Sequence, residues 1–258
     1  MTVEEILTNY NKLGTKIIET IYTDNYLSIG GTESTEALAE LVGITSNSQV
    51  LDVGSGVGGP SLHLAATYDC RVTGLDLVSP NVQEANERAK ARGLDHLAVF
   101  ETGDALGMPF KDNSFDVVWG QDAWCHMPDK EKLIDEVTRV LAPGGAVAFT
   151  DWIQTGAIED NERNELLSAM AAPNIAKIDD YQGYLEARGY TVVVADDIST
   201  LFTAQYRDII AALADMERTL SEKFSPKIYQ IIAERNGCIL RGFESGALGG
   251  GRIVARKS

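Results

Sequence analysis

Between Val50 and Trp152 the chain alternates apolar runs of strand length with amphipathic runs of helical length. VLDV, RVTGLDL, LAVFETGD, FDVVWGQDA and AVAFTDW read as strands; SLHLAATY, SPNVQEANERAKARGL and KEKLIDEVTRVLA read as helices. This alternation constrains the fold more than any other feature. Strands joined through helices are crossover-connected and therefore parallel, and a parallel sheet is covered on both faces. Ser79, followed by Pro80, reads as a helix cap. Upstream, Val3, Ile6, Leu7, Tyr10, Leu13, Ile17 and Ile18 have near-helical spacing and predict a helix over 3–21. The polar, glycine-broken YTDNYLSIGGTE follows, then a short helix in STEALAELVGI. Beyond Trp152, residues 156–190 read as helical, Thr191–Ser199 as a strand, 204–235 as helix, and RIVARK as a last strand after GALGGGR.

Composition excludes several classes. The 258 residues are 44% hydrophobic and 23% charged, an ordinary soluble balance. A formal net charge of −16 repels a polyanion, and no run of Lys or Arg offsets it, so no nucleic-acid partner is expected. Three cysteines far apart, with no CxxC, predict neither a disulfide framework nor a zinc site, and no metal is expected. The opening MTVEEILTNYNKLG is acidic and lacks the apolar core of a signal peptide. No window approaches the roughly 20 apolar residues of a membrane span. A cytoplasmic protein, monomer or homodimer, is the expectation.

The stretch VLDVGSGVGGPSLHLA (Val50–Ala65) places Gly54, Gly56, Gly58 and Gly59 between a strand and a helix. Glycine admits positive φ and close approach of a ligand, but a GxGxxG-like string is weak by itself. Three acidic residues sharpen it. Asp52, two residues before Gly54, would repel a pyrophosphate beyond the turn and favour a cationic ligand. Asp76, ending the second strand, stands where a doubly wound sheet accepts both ribose hydroxyls. Asp104, ending the third, suits an adenine amino group, with the Ala105 amide facing a ring nitrogen. The sum is a nucleoside site with acidic walls and no phosphate clamp. S-adenosyl-L-methionine, with its positive sulfonium, fits such walls.

VLDVGSGVGG, GLDL, GDALGMPFKDNSFDVVWGQDAWCHM and VLAPGGAVAFTDW, in that order, resemble the successive motifs of class I S-adenosylmethionine-dependent methyltransferases over residues 48–154. The resemblance implies an α/β Rossmann-like doubly wound seven-stranded sheet, order 3-2-1-4-5-7-6, with strand 7 antiparallel and a helical lid. It implies a division into an N-terminal helical cap over the cofactor (1–46), an S-adenosylmethionine-binding core (47–154), and the rest of the sheet with a helical substrate lid (155–258). S-adenosyl-L-homocysteine would be the product. NYLSIGGTEST (Asn25–Thr35) resembles the cofactor-covering segment of the phosphoethanolamine and sarcosine/dimethylglycine N-methyltransferases, which implies contacts from Leu27, Ser28 and Gly30. Ser55, Leu77 and Gln121 complete the expected cofactor set with Asp52, Gly54, Gly56, Asp76, Asp104 and Ala105.

QDAWCHM resembles the RDAxxH motif of the same group. The resemblance implies that Asp122 contacts a substrate amine and that His126 pairs with a tyrosine of the N-terminal helix, here Tyr10. Such a histidine can accept a proton as the acceptor reacts. Tyr26, Trp152, Tyr181 and Arg207 are expected substrate contacts, with Arg241 a second possible cation for a carboxylate acceptor. Bland roles compete: His126 satisfied in the core, Asp122 binding backbone amides at a turn, Tyr10 in a core stripe, His63 packing, His96 at the surface. LLSAMAAPNIAKIDDY has no Arg, and no Tyr before Tyr181, so a phosphate-gripping pocket is not expected. The leading expectation is methyl transfer to the nitrogen of a small amine or amino acid, sarcosine- or dimethylglycine-like. The alternative is an O- or C-methyltransferase of a hydrophobic acceptor such as a quinone, a tocopherol or a natural product. A nicotinamide-dependent dehydrogenase is disfavoured by Asp52 and by the lack of a second nucleotide-binding half, and a non-catalytic binder by the Tyr10, Asp122, His126 set.

Overall fold

Apolar residues on both sides of a strand require cover on both sides, and β1 (Gln49–Val53) buries Val50, Leu51, Asp52 and Val53 in succession. The computed structural model describes residues 12–22 and 26–258; Tyr10 lies outside them. β1 is flanked in parallel by β2 (Arg71–Asp76) and β4 (Phe115–Gln121). Next come β3 (Ala98–Thr102) beside β2 and β5 (Leu141–Gln154) beside β4, again parallel. β7 (Leu248–Lys257) inserts antiparallel between β5 and β6 (Tyr190–Asp197). The sheet has seven strands in the order β3-β2-β1-β4-β5-β7-β6, as the motif resemblance implied. β6 and β7, from residues 155–258, thus extend the sheet begun by 47–154.

The helices are α1 (Lys12–Ile21), α2 (Gly31–Val42), α3 (Gly59–Tyr68), α4 (Ser79–Ala91), α5 (Lys130–Val140), α6 (Asp160–Met170), α7 (Ile178–Glu186), α8 (Ser199–Asp215), α9 (Glu217–Lys223) and α10 (Pro226–Ser245). On one sheet face Leu51, Val53, Phe149 and Ile253 pack with Leu133 and Val137 of α5 and Leu185 of α7. On the other, Val50, Val72 and Ala148 pack with Leu38 of α2, Leu62 of α3 and Ala85 of α4. A third cluster joins Ile17 of α1, Leu166 of α6, Phe202 and Tyr206 of α8, and Ile239 and Phe243 of α10 around Trp152. It builds a helical layer beyond the strand ends.

Several boundaries differ from the sequence expectation: β7 opens at Leu248, inside the expected GALGGGR turn, and β5 opens at Leu141, ahead of AVAFTDW. Val78, not Ser79, caps α4: Asp76 Oδ1 accepts the Val78 N–H at 2.8 Å and closes the turn one residue earlier. The stretch 156–190 is two helices, parted at Ala171, whose φ of +56° ends α6. The stretch 204–235 falls within three helices, and Ser225 caps the last by accepting the Ile228 N–H, with Pro226 opening it. Among the described residues no helix is long and apolar enough to cross a membrane, and no His/Cys/Asp/Glu group is arranged to hold a metal.

Candidate active site

The strand order reverses between β1 and β4, and ligands of open α/β sheets bind outside the carboxyl ends of the strands at such a point. A cavity of about 940 Å³, part of it open to solvent, lies there. Its floor is the turn after β1. Gly54 and Gly56 have φ of +84° and +53°, the region that favours glycine. A Cβ on Gly54 would lie 2.5 Å from Ala123 Cβ, and one on Gly56 2.9 Å from Leu27 Cδ1. The close approach that these glycines permit is therefore also to the chain's own flanking segments.

Four carboxylates line this cavity, those of Asp52, Asp76, Asp104 and Asp122. Asp76 accepts the Gly56 N–H and the Val78 N–H, both at 2.8 Å, so it shapes the turn as well as lining the cavity. Asp104 accepts the Leu106 N–H at 2.8 Å. Asp52 is 1% exposed and accepts from Ser61 Oγ at 2.6 Å. Burial pushes its pKa up to about 7; the Ser61 bond opposes this, and the charge of Asp76 adds to it. Three further polar atoms, Ser28 Oγ, Ser55 Oγ and Gln121 Nε2, are buried without a hydrogen-bond partner among the described residues, all in residues lining this cavity. Gln121 is held in place by Thr35 Oγ1 and Trp119 Nε1, which donate to its Oε1 at 2.9 and 3.2 Å. An unsatisfied buried group costs about 1–3 kcal/mol. Three around one acidic cavity fit a ligand that brings hydroxyl, amino and carboxylate groups together with a positive charge.

A second cavity, of about 900 Å³ and likewise part open, shares Leu27, Asp122 and His126 with the first. The partition is the strap before α2 together with the turn after β4. Asp122 is buried at φ +53°. Its Oδ2 accepts the strap's Ile29 N–H at 2.7 Å, and its Oδ1 accepts from Thr150 Oγ1 of β5 at 2.8 Å. Burial raises its pKa to about 7 against the pull of these two bonds. His126 ends the short 3₁₀ turn Trp124–His126, with Nδ1 2.9 Å from the Ala171 carbonyl. A carbonyl only accepts, so Nδ1 carries the proton, and in the neutral ring Nε2 is the acceptor nitrogen. Burial pushes the ring's pKa down to about 4, which keeps it neutral at pH 7.

Residues 51–149 match the family model described as a methyltransferase domain. The glycine/sarcosine/dimethylglycine N-methyltransferase of Actinopolyspora halophila is 33% identical over 186 residues, 72% of this chain and 33% of that protein. The 27-O-demethylrifamycin SV methyltransferase of Amycolatopsis mediterranei is 35% identical over 173 residues, 65% of this chain and 63% of that protein. The chain thus spans one third and under two thirds of these relatives' lengths. In fold, phosphoethanolamine N-methyltransferase 2 of Haemonchus contortus, solved with S-adenosylhomocysteine, superposes with a TM-score of 0.89 at 23% identity, over 97% of this chain and 58% of that one.

Over this domain the chain is similar to S-adenosylmethionine-dependent methyltransferases.

The first cavity collects Leu27, Ser28, Asp52, Gly54, Ser55, Gly56, Asp76, Leu77, Asp104, Ala105 and Gln121 from the expected cofactor set. Gly30 lines neither cavity; at φ +82° it caps α2. Of the expected substrate contacts, Trp152 lines the second cavity and the others do not. Tyr26 is buried beside Thr35, with the two hydroxyls 3.5 Å apart. Tyr181 is fully buried against Phe149, and its hydroxyl donates to Asp151 at 2.7 Å. Arg207 is exposed and pairs with Glu244 at 2.9 Å, and Arg241 is exposed as well. The second cavity is instead completed by residues the sequence reading passed over: Tyr206 of α8 with Arg235 and Asn236 of α10. Tyr206 donates to Asn236 Oδ1 at 2.7 Å, and Arg235 donates through Nε and Nη2 to the Ala169 carbonyl. Only their helical spacing was visible in the sequence, and nothing in it paired α10 with the turn after β4.

Asp52 gives the cofactor cavity a pH signature. Its ionisation is resisted up to about pH 7, and a cationic ligand in the same cavity favours the ionised form. Binding of S-adenosylmethionine should therefore expel a proton near neutrality, and affinity should rise towards pH 7 and level off above it. Calorimetry in two buffers of different ionisation enthalpy reads the proton directly. Equal heats in both at pH 6.5 would show that Asp52 does not ionise on binding.

Proposed function

We propose that this methyltransferase transfers the methyl group of S-adenosylmethionine to a hydroxyl oxygen of a largely apolar small molecule, with His126 as the proton acceptor. The observation that carries this reading is the wall of the second cavity. Ile17, Ile18 and Ile21 of α1, Met170 of α6, Trp152 of β5 and Ile239 of α10 line it. Burying an apolar acceptor there gains roughly 25 cal/mol per Å² of apolar surface removed from water. A glycine-like acceptor would bring a carboxylate and an amine into a wall where, among the described residues, Arg235 is the only side chain cationic at neutral pH.

The cofactor, when bound, supplies a methyl group on a cationic sulfur. Asp52, Asp76 and Asp104 bind and orient it, and Leu27 separates it from the apolar cavity except where the acceptor must reach it. Methyl transfer is an in-line displacement, so alignment and exclusion of water do most of the work. With its Nδ1–H fixed on Ala171, His126 accepts the hydroxyl proton at Nε2. Asp122, with both oxygens on Ile29 and Thr150, holds the partition together instead of gripping a substrate amine. Tyr10, the partner that the motif resemblance implies for His126, lies outside the described residues. Residues 1–46 would act as the cap, 47–154 as the cofactor core and 155–258 as the lid.

A second reading, methyl transfer to a small amine, is favoured by the 33% identity to the glycine/sarcosine/dimethylglycine enzyme. A transfer assay with methyl-labelled S-adenosylmethionine decides between them. Sarcosine, dimethylglycine and phosphoethanolamine form one arm; phenols, hydroquinones and hydroxylated macrolactones form the other. Product in the hydroxylated apolar arm alone is the expected result. Product only from sarcosine or dimethylglycine would replace this reading with the second.

A further inference from the structure

Beneath the turn that carries His126 lies a buried lysine. Lys130 is 6% exposed although it is the first residue of α5. A cation there is doubly disfavoured: the amino end of a helix carries partial positive charge, and lysine is almost never fully buried without partners. Its Nζ donates to the Met127 carbonyl at 2.5 Å, to the Cys125 carbonyl at 3.3 Å and to Asn174 Oδ1 at 2.7 Å. Asn174 Nδ2 in turn donates to the Pro128 carbonyl at 2.8 Å. The two side chains form a closed clasp between the His126 turn and the segment after α6.

That segment is the one His126 leans on. Ala171, in the left-handed conformation, presents the carbonyl that holds His126 Nδ1. Ala169, Met170 and Ala171 also line the second cavity. Asp151 secures the turn from the sheet side, accepting the Cys125 N–H at 2.9 Å. The clasp adds a polar tie to the apolar packing of Cys125 with Met170, Ala172 and Ile175, which joins the same two segments.

We propose that Lys130 is a positioning residue: through Asn174 it fixes the Ala171 carbonyl against the His126 turn and so sets the imidazole tautomer that faces the second cavity. This rests on the reading of His126 as proton acceptor only for its consequence in turnover; the tautomer is a property of the protein alone. The charge of Lys130 also works against protonation of His126, in the same direction as burial.

The chain has three histidines, so ¹⁵N-histidine spectra at neutral pH can be assigned with H126Q. In the wild-type protein His126 should show one pyrrole-type and one pyridine-type nitrogen, well separated. In Lys130→Met the two signals should move towards each other as the ring exchanges between tautomers, while S-adenosylhomocysteine affinity stays within twofold. Lys130→Arg should restore most of the separation. If Lys130→Met fails to fold, Asn174→Ala, at a partly exposed position, removes the same link and should move the signals the same way. An unchanged His126 spectrum in a folded Lys130→Met or Asn174→Ala protein would overturn the proposal. A moved spectrum with undiminished turnover on an identified acceptor would leave Lys130 in place and count against the proton-acceptor role alone.

Discussion

His126→Ala should lose on the order of 10²–10⁴-fold in turnover, the usual worth of a positioned general base, while S-adenosylhomocysteine binds nearly as before. The two effects separate because Asp52, Asp76 and Asp104, which line the first cavity and are proposed to hold the cofactor, make none of their hydrogen bonds with the ring. The Ala171 carbonyl loses its donor, at a cost of about 1 kcal/mol in stability. In the wild-type protein the ring contributes no break in the pH–rate profile near 6.5, because burial holds its pKa near 4. Rate lost through this group falls on the acid side of that value, where the ring is protonated and can accept nothing. Wild-type turnover in His126→Ala, measured on an acceptor found by the transfer screen, would end the proton-acceptor role.

Asp122→Ala should be the most destabilising single change at the site, by about 3–5 kcal/mol. Two buried donors, the Ile29 N–H and the Thr150 hydroxyl, lose their acceptor at about 1–3 kcal/mol each. The backbone stays left-handed at φ +53°, where alanine is disfavoured by about 1–2 kcal/mol. Asp122→Gly relieves the backbone and not the donors, so the gap between the two variants reads the strain alone. The pH dependence has a definite sign. The folded-state pKa of Asp122 is raised to about 7, above its unfolded value, so its contribution is fully present below the unfolded pKa and is lost as pH rises through about 7. The difference in thermal midpoint between wild type and Asp122→Ala should shrink from pH 6 to pH 8.5. A gap that widened with pH would show that the native carboxylate is stabilised by its charge and not penalised for it. Since Ile29 belongs to the strap, the variant should also weaken cofactor binding.

The first cavity was legible in the sequence because local chain direction settles it. A strand end, a glycine turn and an acidic residue at the end of each successive strand must converge once the sheet is parallel, and Asp52, Asp76 and Asp104 do so. The acceptor half is set by packing between distant helices. Tyr181 and Arg207 suit a substrate contact by residue chemistry alone; one faces the core beside Asp151, the other faces solvent. Arg235 and Asn236 reach the cavity because α10 packs across α6 and α8, a relation that no local spacing encodes. Asp122 lay between the two cases. Its position at the cavity followed from the motif, but its use as a latch for Ile29 depends on where the strap lands.

The reversal at β7 bears on how the molecule assembles. Among the described residues β6 pairs only with β7, which in turn rests on β5. When β6 leaves the ribosome its docking edge does not yet exist, and the chain from Ser199 to Ser245, most of the acceptor-side layer, must be made before that edge arrives. Until then β5 and β6 both carry open hydrogen-bonding edges, the kind of surface on which strands of other chains can add. The helices that shape the acceptor cavity are thus also the stretch of chain over which a nascent molecule is most exposed to mispairing. Changes there that delay closure of β7 would lower the yield of folded protein without touching a residue of the cofactor site.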